Sequence, residues 1–110
     1  MRDLRYGIEI EMTGLSRGKA AETLAGFFGT RAEHTGGSYD AYAVRDAQDR
    51  VWKLVSDGSI QTQKKVRGQT VAADSTYSVE LVSPVCVYED IETIQEIVRA
   101  LRRNNALVND

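Results

Sequence analysis

Tyr6-Gly7-Ile8-Glu9-Ile10-Glu11-Met12 alternates strictly, and this period of two constrains the fold more than any other stretch of the chain. An extended strand sends successive side chains to opposite faces. Tyr6, Ile8, Ile10 and Met12 therefore share one face, and Glu9 and Glu11 the other. Only one side of such a strand can be buried. Thr76 to Ser83 repeats the pattern, with Tyr77, Val79 and Leu81 as the buried set, Ser78 and Glu80 opposite, and Pro84 as the stop. Tyr39 to Asp46 and Val51 to Asp57 read as two more strands, joined through Ala47-Gln48-Asp49-Arg50 as a hairpin.

Helical spacing replaces alternation in two places. From Arg17 to Phe28 the apolar positions Ala20, Ala21, Leu24, Ala25, Phe27 and Phe28 recur at helical intervals, with Ser16 as the cap and Gly29 as the stop. The last element spans Glu89 to Asn104, with Ile91, Ile94, Val98 and Leu101 on one face. Acidic residues fill its first turn, and Arg99, Arg102 and Arg103 its last, as the helix dipole favours. Residues 30–38 read as a loop. Residues 61–75, poor in apolar side chains, read as a long mobile loop, for which a substrate-facing element and a merely disordered segment both fit. The order β-α-β-β-β-α implies an α+β fold, an antiparallel sheet with helices on one face.

At 110 residues the chain is one domain, 1–110, or a portion of one. Its 42% apolar and 27% charged residues are those of a globular protein. A net charge of −2 gives no pull toward nucleic acid or an anionic membrane. The small basic clusters, Lys64-Lys65-Arg67 and Arg99-Arg102-Arg103, read as a solvated face and a helix end. The single cysteine, Cys86, excludes an intramolecular disulfide and fits a reducing compartment. It lies in an apolar stretch and reads as a small buried hydrophobe, while His34 reads as a loop histidine. No apolar run approaches the ~20 residues of a membrane span. The start, Met1 to Arg5, lacks the apolar stretch of a signal peptide, so the expectation is a soluble cytoplasmic protein.

The alternation also sorts the charges. If Trp52 and Leu54 are buried, Lys53 and Asp57 point the other way, with Val55 between them. Three strands then place Glu9, Glu11, Lys53, Asp57 and Glu80 on one sheet face. Oxygen-only donors of this kind suit Mg²⁺ or Mn²⁺ rather than zinc. An antiparallel sheet also puts polar residues outside as a rule, so a solvated face and a cation site both fit. Asp57, an aspartate before a glycine, also fits a plain turn.

The stretch from Tyr6 to Arg17 resembles the opening of the amidoligases found in bacteria and their phages. Trp52-Lys53-Leu54-Val55-Ser56-Asp57-Gly58-Ser59-Ile60 resembles that family's second block, and Tyr77-Ser78-Val79-Glu80-Leu81-Val82-Ser83-Pro84 its third. The helix ending Arg99-Ala100-Leu101-Arg102-Arg103 resembles the segment that follows. The family is similar to glutamine synthetase and glutamate–cysteine ligase. The resemblance implies a glutamine-synthetase-like catalytic domain in which ATP phosphorylates a carboxylate and an amine displaces the phosphate to give an amide. It implies Glu9, Glu11 and Glu80 as ligands of Mg²⁺ or Mn²⁺ against the ATP phosphates. Asp57 and Ser59 would contact substrate or metal-bound water, and Lys53 a phosphate or the substrate carboxylate.

The family's next block carries a His-x-His pair, which this sequence lacks. The expectation is the N-terminal portion of an incomplete amidoligase domain, weakly active or inactive alone, or completed by a partner such as a second copy. Its substrates would be small-molecule or peptide carboxylates and amines. Two alternatives stand beside it. Acidic clusters with one lysine also suit a two-metal phosphodiesterase or nuclease, against which the net acidity argues. The third is a non-catalytic α+β interaction module that keeps the scaffold.

Overall fold

The computed structural model describes residues 4–58 and 62–108. In chain order the elements are β1 (Arg5–Tyr6), β2 (Glu9–Thr13), α1 (Arg17–Phe28), β3 (Ala32–Gly36), β4 (Ala41–Arg45) and β5 (Val51–Val55). There follow β6 (Gln63–Val66), β7 (Gln69–Ala72), β8 (Val79–Val82), β9 (Cys86–Val87), α2 (Ile91–Arg103) and β10 (Leu107–Val108). Six strands form one sheet in the order β10-β2-β8-β5-β4-β3, with every neighbouring pair antiparallel. The ribbons β1–β9 and β6–β7 stand apart from it. The α+β class and the antiparallel sheet are as the alternation implied.

Both helices cover the face that the alternation selects. Met12, Val44, Trp52, Leu54, Val79 and Leu81 of the sheet pack in one cluster with Ala20, Leu24, Ile97 and Leu101 of the helices. Each fully buried large side chain contributes about 1.5–3 kcal/mol of transfer free energy. Helix α1 begins where Ser16 Oγ accepts from Lys19 N at 3.1 Å. It ends at Gly29, whose φ of 74° is open to glycine without strain and whose N–H returns to Ala25 O.

Several boundaries differ from the sequence reading, beginning with the expected strand from Tyr6 to Met12, which divides at Gly7-Ile8 into β1, paired with β9, and β2. Residues 32–36, expected as loop, are edge strand β3, paired to β4 with a bulge between His34 and Gly36. An edge strand with both faces largely solvated needs no apolar alternation, so pattern does not reveal it. Residues 63–72, inside the expected mobile loop, form the hairpin β6–β7. Its turn places Arg67 and Gly68 at φ of 53° and 81°, the signature of a two-residue hairpin turn. Ser75–Tyr77 is a 3₁₀ turn rather than strand, capped by Asp74 Oδ1 accepting from Thr76 N at 3.0 Å. Ser78 is consequently buried instead of facing outward. Helix α2 starts at Ile91, after a 3₁₀ turn over Tyr88–Asp90, and buries Ile97, Ala100 and Leu101 while Ile91 is exposed.

A polar latch ties the β4–β5 hairpin to the start of α2. Asp46 Oδ1 accepts from Gln48 N and Arg50 N, and its Oδ2 from Trp52 Nε1 and Arg50 Nε, each at 2.9 Å. The Arg50 guanidinium then grips Asp90 bidentately, with both bonds at 2.9 Å, and Asp90 Oδ2 also accepts from Val87 N at 2.8 Å. Burial alone would raise the Asp46 carboxyl, but the bonds from Trp52, Arg50 and Gln48 outweigh it and hold the group below its ordinary value. The Arg50 hydrogen bonds hold Asp90 down likewise.

Candidate functional site

The face away from the helices is organised by register. Across β2, β8 and β5 one rung reads Glu9–Val82–Lys53 and the next Glu11–Glu80–Val55. Side chains on the same face of neighbouring rungs are in mutual reach. Asp57 lies two residues past Val55 and so returns to the same side. There one carboxylate oxygen each from Glu11, Asp57 and Glu80 lies within 4.8 Å of the others, all three residues half-buried. Glu9 and Lys53 sit one rung away and are exposed.

Of the expected site residues, the structure thus gathers Glu11, Asp57 and Glu80, and leaves Glu9 and Lys53 at the rim. Ser59 lies outside the described residues. Electrostatics reflect the crowding. Burial first, then the charges of Glu9, Asp57 and Glu11, push the Glu80 carboxyl above its ordinary value. Hard carboxylate oxygens from β2, β8 and the segment that follows β5, mutually repelling when empty, suit an Mg²⁺ or Mn²⁺ ion, whose charge would relieve that repulsion.

Neighbouring segments frame this cluster. Thr13 follows Glu11 on the same face; its Oγ1 accepts from Gln63 N at 2.7 Å and donates to Gln63 O at 3.0 Å. Gly14 N adds a bond to Gln63 O at 2.7 Å, which roots the β6–β7 hairpin beside the end of β2. The hairpin carries Lys64, whose ammonium lies 5.7 Å from the centre of the Tyr77 ring. On the other side, Ser78 Oγ accepts from Asp57 N at 2.8 Å and donates to the Asp57 carbonyl.

Sequence reasoning missed Ser78, because alternation continued one residue too far placed it on the solvent face. It also missed Arg17. This buried arginine opens α1 and donates to the carbonyls of Asp40, Ser75 and Ser78 and to Asp40 Oδ2. Its acceptors lie 23 to 61 residues away in the chain, so no local signal marks it. Asp40 also meets His34 Nε2 at 2.6 Å, and the His34 ring stacks on Tyr42 at 4.4 Å. The Arg17 bond, then that of His34, lowers the Asp40 carboxyl.

No curated protein and no solved structure matches the chain. A family model described as "Putative amidoligase enzyme" matches residues 2–110. The amidoligase family is the one to which this chain belongs.

Proposed function

We propose that this protein takes part in ATP-driven ligation of a carboxylate to an amine. The observation that carries the reading is the convergence of Glu11, Asp57 and Glu80 within 4.8 Å in a chain of amidoligase sequence. These three side chains would hold Mg²⁺ or Mn²⁺, with Glu9 at the rim. The ion, when bound, supplies charge neutralisation for the phosphates of ATP.

The chain's own groups position the reactants. Lys53, one rung from the cluster and exposed, is placed to meet a phosphate or the substrate carboxylate. Ser59 follows Asp57 closely in sequence and serves as a further substrate contact. The substrate carboxylate attacks the γ-phosphorus and ADP leaves; the amine then attacks the acyl carbon and inorganic phosphate leaves. The hairpin rooted at Thr13 borders the place where these substrates, small molecules or peptides, would lie. Cytoplasmic ATP and Mg²⁺ suit the reaction, and no helix among the described residues is long and apolar enough to cross a membrane.

The test follows one oxygen atom. The protein is incubated with ATP, Mg²⁺, an amine panel and amino-acid carboxylates labelled with ¹⁸O. Label passing from carboxylate to inorganic phosphate, dependent on the amine and lost in Glu80→Gln, supports the reading. Phosphate release without label transfer would count against it, as would cleavage of nucleic acid without ATP.

One observation favours a non-catalytic interaction module as a second reading. Leu4, Val85, Val87, Tyr88 and Ile91 are exposed around the β1–β9 ribbon and the turn before α2. Sizing chromatography decides whether they mediate self-association: a dimer removed by Tyr88→Ser favours it, and a sharp monomer peak argues against it.

A further inference from the structure

The β5–β8 ladder stops at Val55, opposite Glu80. Asp57 lies beyond that last pair, so ladder hydrogen bonds do not fix it against β8. A side chain takes over. Ser78 Oγ bonds both the N–H and the carbonyl of Asp57, and Ser78 is 2% exposed. It also stands two residues before Glu80. One buried hydroxyl therefore holds the backbone of one cluster carboxylate, while its own chain carries the next.

Ser78 is itself held from behind. Its N–H closes the 3₁₀ turn on Ser75 O at 3.0 Å, and its carbonyl accepts from Arg17 Nη1 at 2.7 Å. The same nitrogen donates to Ser75 O at 3.1 Å, while Nε and Nη2 hold Asp40 at 2.9 and 2.6 Å. Arg17 is 4% exposed. A guanidinium is a rigid fork of fixed donors, so three segments are locked in one geometry around Ser78.

We propose that Ser78, backed by Arg17, is the positioning residue of the carboxylate cluster, setting the Asp57 backbone so that its carboxylate stands with Glu11 and Glu80 in one cation site. The inference rests on the reading of that cluster as a divalent-cation site. Hydrogen bonds that orient a ligand from behind typically carry about ten- to a hundredfold of metal affinity.

The experiment is Mn²⁺ titration of the full chain, followed by the electron paramagnetic resonance signal of free Mn²⁺, with metal-free urea unfolding in parallel. The expected result is that Ser78→Ala binds Mn²⁺ about tenfold more weakly or worse. Ile97→Val, a core change on α2, lowers the urea midpoint but binds like the native chain. This separates positioning from general loss of stability. Arg17→Lys, which leaves Ser78 in place, weakens binding in the same direction and serves if Ser78→Ala does not fold. Native affinity in folded Ser78→Ala, or equal weakening in Ile97→Val, would overturn the positioning role alone. A native chain that binds no Mn²⁺ would overturn the cation site and the positioning role with it.

Discussion

Glu11 and Glu80 are direct register partners across the β2–β8 ladder, two carboxylates side by side on the face away from the helices. Like charges placed opposite each other in a sheet destabilise it by about 0.2–1 kcal/mol, and Asp57 adds a third charge here. Removing one charge should therefore stabilise the metal-free protein. Glu80→Gln is expected to gain about 0.5–1 kcal/mol in urea unfolding with chelator present. If the cluster holds Mg²⁺ or Mn²⁺ as proposed, the ion should raise the thermal midpoint of the native chain by mass action, and the same variant should lose that rise. A variant less stable than the native chain in chelator would mean that Glu80 holds the strands together rather than straining them.

The same crowding sets a pH dependence. The folded Glu80 carboxyl is raised by burial, then by Glu9, Asp57 and Glu11. Between the ordinary glutamate value, about 4.3, and the raised one, the folded state binds more protons than the unfolded state. Stability in chelator should then fall as pH rises through that window. The gap between Glu80→Gln and the native chain should open over the same range and stay level above it. Urea midpoints measured every half unit from pH 4 upward would show it; a gap that narrows with rising pH contradicts the assignment.

The carboxylate cluster was legible in the sequence because a strand's period of two is rigid. Once Met12, Leu54 and Leu81 are buried, Glu11 and Glu80 have only one place to go. What alternation does not carry is register, and register decided which carboxylates meet. It left Glu9 beside Val82 and brought Glu11 opposite Glu80. The edge strand β3 and the hairpin β6–β7 escaped notice because neither buries a face in the core, so nothing selects apolar residues at alternate positions. Ser78 and Arg17 escaped for another reason: their partners are backbone carbonyls and amides, which every residue possesses.

The latch joining Asp46, Arg50 and Asp90 should carry much of the acid sensitivity. Both carboxyls are depressed in the folded state, Asp90 chiefly by Arg50 and Asp46 by bonds that overcome its burial. Their contribution is fully present above the ordinary aspartate value and lost as pH falls through the folded one, so the loss begins below about pH 4. Asp90→Asn is expected to cost about 2–3 kcal/mol at neutral pH. That is below the roughly 3–5 kcal/mol of a fully buried pair, because Arg50 remains 26% exposed. The variant should also be less acid-sensitive relative to its own neutral value. Denaturant unfolding at pH 7 and pH 3 checks both; equal losses in variant and native chain would contradict the role of Asp90.

Lys53 provides a contrast, since it is exposed on β5 and its loss should leave the fold intact. Lys53→Ala is expected to change stability by no more than about 0.5 kcal/mol. If it meets phosphate, the variant should bind ATP–Mg²⁺ several-fold more weakly in calorimetry while its Mn²⁺ affinity is kept. Unchanged nucleotide affinity would remove Lys53 from the site.

Gly14 is where the site meets the sheet edge. Its φ is 93°, and a Cβ built there would lie 2.3 Å from Asn105 O and 3.0 Å from Leu107 Cγ. The first contact is with backbone and cannot be relieved by a rotamer change, so the segment leading into β10 must move away from β2. Backbone strain of this kind costs about 1–3 kcal/mol on its own, and the displaced strand adds to it. Gly14→Ala is therefore expected to lose about 3 kcal/mol or more in urea unfolding. Hydrogen exchange should locate the damage, because the β10 amide that faces β2 loses its protection when the edge is pushed off. The Gly14 amide also bonds Gln63 O, so the root of the β6–β7 hairpin should exchange faster as well. A loss under about 0.5 kcal/mol with β10 still protected would show that the edge can accommodate a side chain there, and that Gly14 is not required for the close approach of Asn105.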